Sequence, residues 1–138
     1  MNIAFFLLPK EKVAYVQDTA TMCQALEKLE YHSYTAIPII NKHGNYVGTL
    51  TEGDLLWKLK DEPDLNFLNM HKIPLTEVKK HRNNRPVSIN AEMEDMLELA
   101  VSQNFVPVVD DQQVFIGIIR RMDIIEYFVS LNETNQKT

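Results

Sequence analysis

Apolar positions change their spacing several times along this chain, and each change marks an element. Met22, Ala25, Leu26 and Leu29 recur at i, i+3, i+4 and i+7, which predicts a helix with one apolar face. Thr21-Met22-Cys23-Gln24 supplies its start, because the threonine hydroxyl and the glutamine amide are the two halves of a capping box. Residues 13–16 read as a short strand before that helix. After it, 35–40 and 46–50 read as strands joined in a hairpin by the turn-rich Asn41-Lys42-His43-Gly44-Asn45. A second helix is predicted from about Thr51, with Leu55, Leu56 and Leu59 on one side.

The same order then returns. Residues 86–89 form the short strand, and Asn90 is a good N-cap for a helix bearing Met93, Met96, Leu97 and Ala100. Glu92, Glu94 and Asp95 fall in its first turn, where they offset the helix dipole. Residues 105–109 and 114–119 make the hairpin around Asp110-Asp111-Gln112-Gln113, and Ile124, Ile125 and Phe128 mark a closing helix. The match extends to residue types. Ala36-Ile37-Pro38-Ile39-Ile40 recurs as Phe105-Val106-Pro107-Val108-Val109, and Pro38, Gly48 and Asp54 meet Pro107, Gly117 and Asp123 at a constant offset of 69. Upstream, Val16, Met22 and Leu26 meet Val87, Met93 and Leu97 at 71, so the second copy is two residues shorter ahead of Pro107. The predicted fold class is α/β in the α+β sense: two β-α-β-β-α repeats packed with pseudo-two-fold symmetry, leaving a ligand-sized cleft between halves.

The predicted organisation is a first repeat with its N-terminal segment over 1–66, a second repeat over 67–130 and a disordered tail over 131–138. Pro63 and Pro74 bracket the joining stretch, in which Leu65, Phe67, Leu68 and Met70 are expected to pack. Each half of 138 residues is marginal alone, so each is expected to need the other to finish its core. The 45% hydrophobic and 24% charged residues suit an ordinary globular protein. A net charge of −5 argues against nucleic acid as a partner, since phosphate binding draws on Lys and Arg. The early apolar run 3–8 is too short for a signal peptide or a membrane span, which argues against a membrane partner. One cysteine, Cys23, excludes an internal disulfide, and together these features read as cytoplasmic.

The candidate chemistry lies in Gly48-Thr49-Leu50-Thr51-Glu52-Gly53-Asp54, which ends a strand and opens a helix. Thr51 stands where free amides and the dipole favour a phosphate. Asp54, one turn later on the same face, suits a ribose diol. The alternative is that Thr51 is an N-cap and Asp54 its capping-box partner. In the second copy Arg120 replaces the threonine and Arg121 follows, while Asp123 is kept. Two adjacent guanidinium groups read as a phosphate clamp or as a solvated pair at a strand end.

The double β-α-β-β-α unit, the small-apolar-Pro-apolar-apolar strand and the Gly-apolar-apolar-Thr-x-x-Asp turn resemble a tandem pair of CBS domains, over about 5–129. That resemblance implies a stand-alone module, a homodimer, an adenosyl nucleotide as ligand (AMP, ADP, ATP, S-adenosylmethionine or cyclic di-AMP) and an unidentified regulated protein as partner. It implies no enzyme activity and no cofactor. Lys12-Val13-Ala14-Tyr15-Val16-Gln17, Tyr34-Thr35-Ala36-Ile37-Pro38, Asn104-Phe105-Val106, Gln113-Val114-Phe115 and Arg120-Arg121 are further similar to the small bacterial CBS-pair proteins that bind cyclic di-AMP. Ile119 stands where that group has a threonine before its arginines, and the intact Thr51/Asp54 motif suits a mononucleotide, so cyclic di-AMP and AMP or ATP both stay open. Carried over, Lys12 and Thr51 take phosphate, Ala14 and Val16 lie along adenine, Tyr34, Thr35, Ala36 and Ile37 line the base, and Asp54 holds ribose. The second half-site uses Pro86, Val87, Val106, Arg120, Arg121 and Asp123.

Other features point nowhere. The four histidines show no metal-ligand spacing with one another or with Cys23, so no metal site is expected. Lys79, Lys80, His81, Arg82 and Arg85 read as a solvated linker. Cys23 reads as buried and inert. No serine or cysteine comes with a base and orienter, which argues against a hydrolase. The competing reading is a structural dimerisation or adaptor module with a degenerate cleft.

Overall fold

Short strands and helices alternate along the chain: β1 (Leu8–Pro9), β2 (Val16–Gln17), α1 (Met22–His32), β3 (Ala36–Ile40), β4 (Tyr46–Thr51), α2 (Glu52–Asp61), β5 (Val87–Ser88), α3 (Leu97–Ser102), β6 (Phe105–Val109), β7 (Phe115–Arg120) and α4 (Arg121–Gln136). This is a computed structural model, and it describes residues 1–136. Among the described residues the fold is mixed α/β, with four α-helices and two sheets.

Both hairpins form, in one register. Pro38 lies opposite Thr49 and Ile39 opposite Gly48, just as Pro107 lies opposite Ile118 and Val108 opposite Gly117. Each pairing slips before its last residue, at Ile39/Ile40 and Val108/Val109. The preceding short strand runs parallel in each case, with Val16 beside Ile39 and Val87 beside Val108. The duplication is therefore present in the hydrogen bonding. Strand 13–16 shrinks to β2, and α1 has the predicted cap: Thr21 Oγ1 accepts from Gln24 N at 3.1 Å and Gln24 Oε1 accepts from Thr21 N at 3.0 Å.

The chain divides into two compact units, but not at the predicted place. One unit is Ala14–Asn83, and the other is Met1–Val13 with Asn84–Thr138. Residues 67–83 stay with the first unit because Met70, Leu75 and Val78 are buried in the core of Met22, Ile37, Leu50 and Leu55. The N-terminal segment leaves the first repeat for the second. Ile3 is buried beside Met93, Val106 and Ile124, and β1 pairs with β7, giving a four-stranded sheet of order β1-β7-β6-β5. Gly117 makes this possible: a Cβ there would lie 2.2 Å from the Leu8 carbonyl oxygen, at φ +155°.

The same segment rewrites the start of the second copy's helix. Asn90 caps nothing, because Ile3 N donates to Ala91 O at 3.1 Å and Met93 N donates to Met1 O at 2.8 Å. The chain around Ala91 and Met93 is instead tied to 1–3, and a 3₁₀ turn at Met93–Asp95 precedes the short α3. The predicted tail is helical as far as Gln136: nothing from Arg121 onward breaks α4, and 137–138 lie outside the described residues. The joining stretch is ordered by side-chain bonds of Asn66 and Asn69, with Met70 and Leu65 packed but Phe67 and Leu68 exposed. No helix among the described residues is long and apolar enough to cross a membrane.

Candidate functional site

The hairpin register puts Ala36 opposite Thr51, and Glu52 N donates to Thr35 O at 2.9 Å. Tyr34, Thr35 and Ala36 thus stand beside the turn that opens α2. Thr51 Oγ1 accepts from Asp54 N at 3.1 Å and Asp54 Oδ2 accepts from Thr51 N at 2.9 Å, a complete capping box. The capping alternative is therefore realised, and it uses only one of Asp54's oxygens. The other, Oδ1, accepts from the backbone N–H of His81 at 2.9 Å and from the His81 ring at Nδ1, at 2.8 Å. The Asp54 side chain has no accessible surface, against 41% for His81.

The basic run is thus not a solvated linker throughout. Val78 is anchored in the core, and Lys80 Cδ and Cε come within 3.0 Å of where a Gly48 Cβ would sit. The segment crosses the motif on the glycine's open side. Sequence reasoning missed His81 as a site residue. The available signal was an apolar anchor, Val78, just ahead of donors able to meet a carboxylate.

The second motif is built alike and partnered differently. Phe105 lies opposite Arg120, and Arg121 N donates to Asn104 O at 3.1 Å, repeating the Glu52–Thr35 bond. Arg120 donates from Nε to Asp123 Oδ2 at 2.9 Å and from Nη2 to Oδ1 at 3.3 Å. Arg121 Nε donates instead to Gln103 O, at 2.9 Å. The two guanidinium groups therefore hold different partners, a carboxylate and the carbonyl beyond α3. Gln103 is itself buried, donating to Arg85 O and Phe105 O while its Oε1 accepts from Arg85 N. Gln103 and Asn84, which donates to Phe105 O, were also missed from sequence.

The remaining candidates fall into two groups. Ala14, Val16, Ile37 and Val106 are buried, so their side chains belong to the two cores and only backbone is left for recognition. Lys12, Tyr34, Thr35 and Pro86 are exposed, and Val87 is half-buried. The Tyr34 ring stacks on His32. Lys12 lies in the unit of the second motif, in the 3₁₀ turn Lys10–Lys12. Cys23 is half-buried, and burial pushes its thiol up, away from the reactive thiolate. No three His, Cys, Asp or Glu among the described residues group to hold a metal.

The sequence pattern of the CBS domain matches residues 7–61 and 77–130. Cyclic di-AMP receptor B of Bacillus subtilis (strain 168) is 28% identical over 131 residues, covering 91% of this chain and 84% of that protein. An uncharacterized protein of Methanocaldococcus jannaschii is 23% identical over 138 residues, and the chain spans 49% of its length. Among solved structures, that of CbpB in complex with c-di-AMP superimposes with a TM-score of 0.81 at 25% identity, covering 100% of this chain and 91% of that one.

Proposed function

The chain belongs to the CBS-domain family, and from that premise we propose that it is a non-enzymatic regulatory module that binds an adenine nucleotide and thereby changes its affinity for a partner protein. The ligand is cyclic di-AMP, or AMP, ADP or ATP. What carries the reading is the duplicated strand-turn-helix with a carboxylate three residues past each turn, Asp54 and Asp123. The likeness to a cyclic di-AMP receptor over most of both chains supports it. In this reading Thr51 and Lys12 take phosphate and Asp54 ribose, while Ala14, Val16, Tyr34, Thr35, Ala36 and Ile37 surround the base. Pro86, Val87, Val106, Arg120, Arg121 and Asp123 form the second half-site. Ala14, Val16, Ile37 and Val106 act through backbone alone. A coupling of about 1–3 kcal/mol shifts partner affinity by about 5–150-fold.

The module acts as a homodimer. Met122, Ile125 and Val129 recur at i, i+3 and i+7 on α4 with half their surface exposed, an apolar stripe suited to a second copy.

The test is a thermal-shift panel of AMP, ADP, ATP, cyclic di-AMP and S-adenosylmethionine. Ligand at a hundred times its Kd adds about 2.7 kcal/mol of stability. A panel in which no compound raises the melting temperature contradicts the reading. It favours a second one, a structural dimerisation or adaptor module, which has its own support: Asp54 and Asp123 are both partnered from within the chain.

A further inference from the structure

We propose that Lys79, Lys80 and His81 form an intramolecular strap that occupies the first nucleotide motif, so that a ligand reaches Asp54 only by lifting it. The inference rests on the reading above and adds how that site is controlled. A carboxylate has about four acceptor positions. Asp54 fills three, one from Thr51 N and two from His81, and its side chain is wholly inaccessible. A ribose diol therefore has no approach while the strap is down. Lys80 lies on Gly48 at the same time, covering the flat side of β4 that the glycine opens.

The strap is held at one end and light at the other. Val78 is buried in the core, whereas Lys79, Lys80, His81 and Arg82 are exposed and belong to no helix or strand. What fixes the segment on the motif is chiefly the pair of His81 donors, one backbone and one side chain. The second motif is held differently: β1 lies on Gly117, and Asp123 is met by the side chain of Arg120, itself 47% exposed and only three residues away in the chain. The two half-sites are thus unequal, and occupying the first carries an opening cost that lowers its apparent affinity.

Cyclic di-AMP and AMP, titrated separately by calorimetry into the full chain, test this. His81→Ala removes the ring donor, and His81→Pro removes the backbone donor as well. The strap predicts that His81→Ala binds at least one of the two ligands about tenfold more tightly than wild type, with His81→Pro tighter still. It also predicts that the His81 amide is protected from hydrogen exchange in the free protein and exposed at saturating ligand. Unchanged affinities in both variants with unchanged amide protection overturn the strap and leave nucleotide binding standing. No binding of either ligand by wild type or variants overturns the nucleotide reading and the strap with it.

Discussion

Thr51 and Asp54 serve the fold and the proposed site with the same atoms, so their substitutions separate the two roles. Thr51→Ala removes the acceptor for Asp54 N and is expected to cost about 1 kcal/mol in denaturant unfolding, while Thr51→Ser keeps the cap. If Thr51 holds phosphate, the alanine variant also loses nucleotide affinity beyond what its stability change explains, and the serine variant does not. This much was legible in the chain, because the two partners of a capping box are only three positions apart. His81 was not legible. It lies 27 positions from Asp54, and their meeting depends on where Val78 anchors the intervening chain. A basic run beside an acidic protein's surface ordinarily stays in water, and here two donors to one buried carboxylate outweigh that tendency.

At the scale of elements, the paired glycines make a contrast. Gly117→Ala drives a Cβ into the Leu8 backbone and is expected to cost about 2–4 kcal/mol, with β1 released from β7. Gly48→Ala meets only the flexible end of Lys80 and is expected to cost less than about 1 kcal/mol. Urea unfolding of both variants checks the difference. A further element-level expectation concerns acid. The Met1 amino group and the Tyr127 hydroxyl donate to Glu94 and hold its carboxyl at about 2, below the ordinary 4.5. A depressed carboxyl stabilises the fold above its unfolded value and loses that contribution as pH falls through the folded one. Stability of Glu94→Gln should therefore fall less steeply than wild type between pH 4.5 and about 2, measured by denaturant titration across that range. The hairpins were readable because their partners are neighbours in sequence and alternate cleanly. The interrupted helix at Met93 was not, because its start is bonded to Met1 and Ile3, some ninety residues away: Met93 N donates to Met1 O, and Ala91 O accepts from Ile3 N.

For the whole molecule, the twofold sequence pattern carried the fold class, and the register of the two sheets repeats it residue for residue. The compact units divide after Asn83 rather than after residue 66, because Leu75 and Val78 join Met70 in the core of the first repeat. The α4 stripe gives an assembly-level expectation: Ile125→Glu with Val129→Asp converts a dimer to a monomer in light scattering, with little change in the monomer's fold since both residues are about half exposed. The central claim is that the Asp54 and Asp123 motifs bind an adenine nucleotide. Its most direct measurement is a calorimetric titration of cyclic di-AMP and of AMP into wild type and into the Asp54→Ala, Asp123→Ala double variant. The account predicts saturable heat with at least one ligand in the wild type and affinity weakened at least about tenfold in the double variant, the loss of one charge-assisted hydrogen bond. Saturable binding of equal strength in both proteins, or none in the wild type, contradicts it.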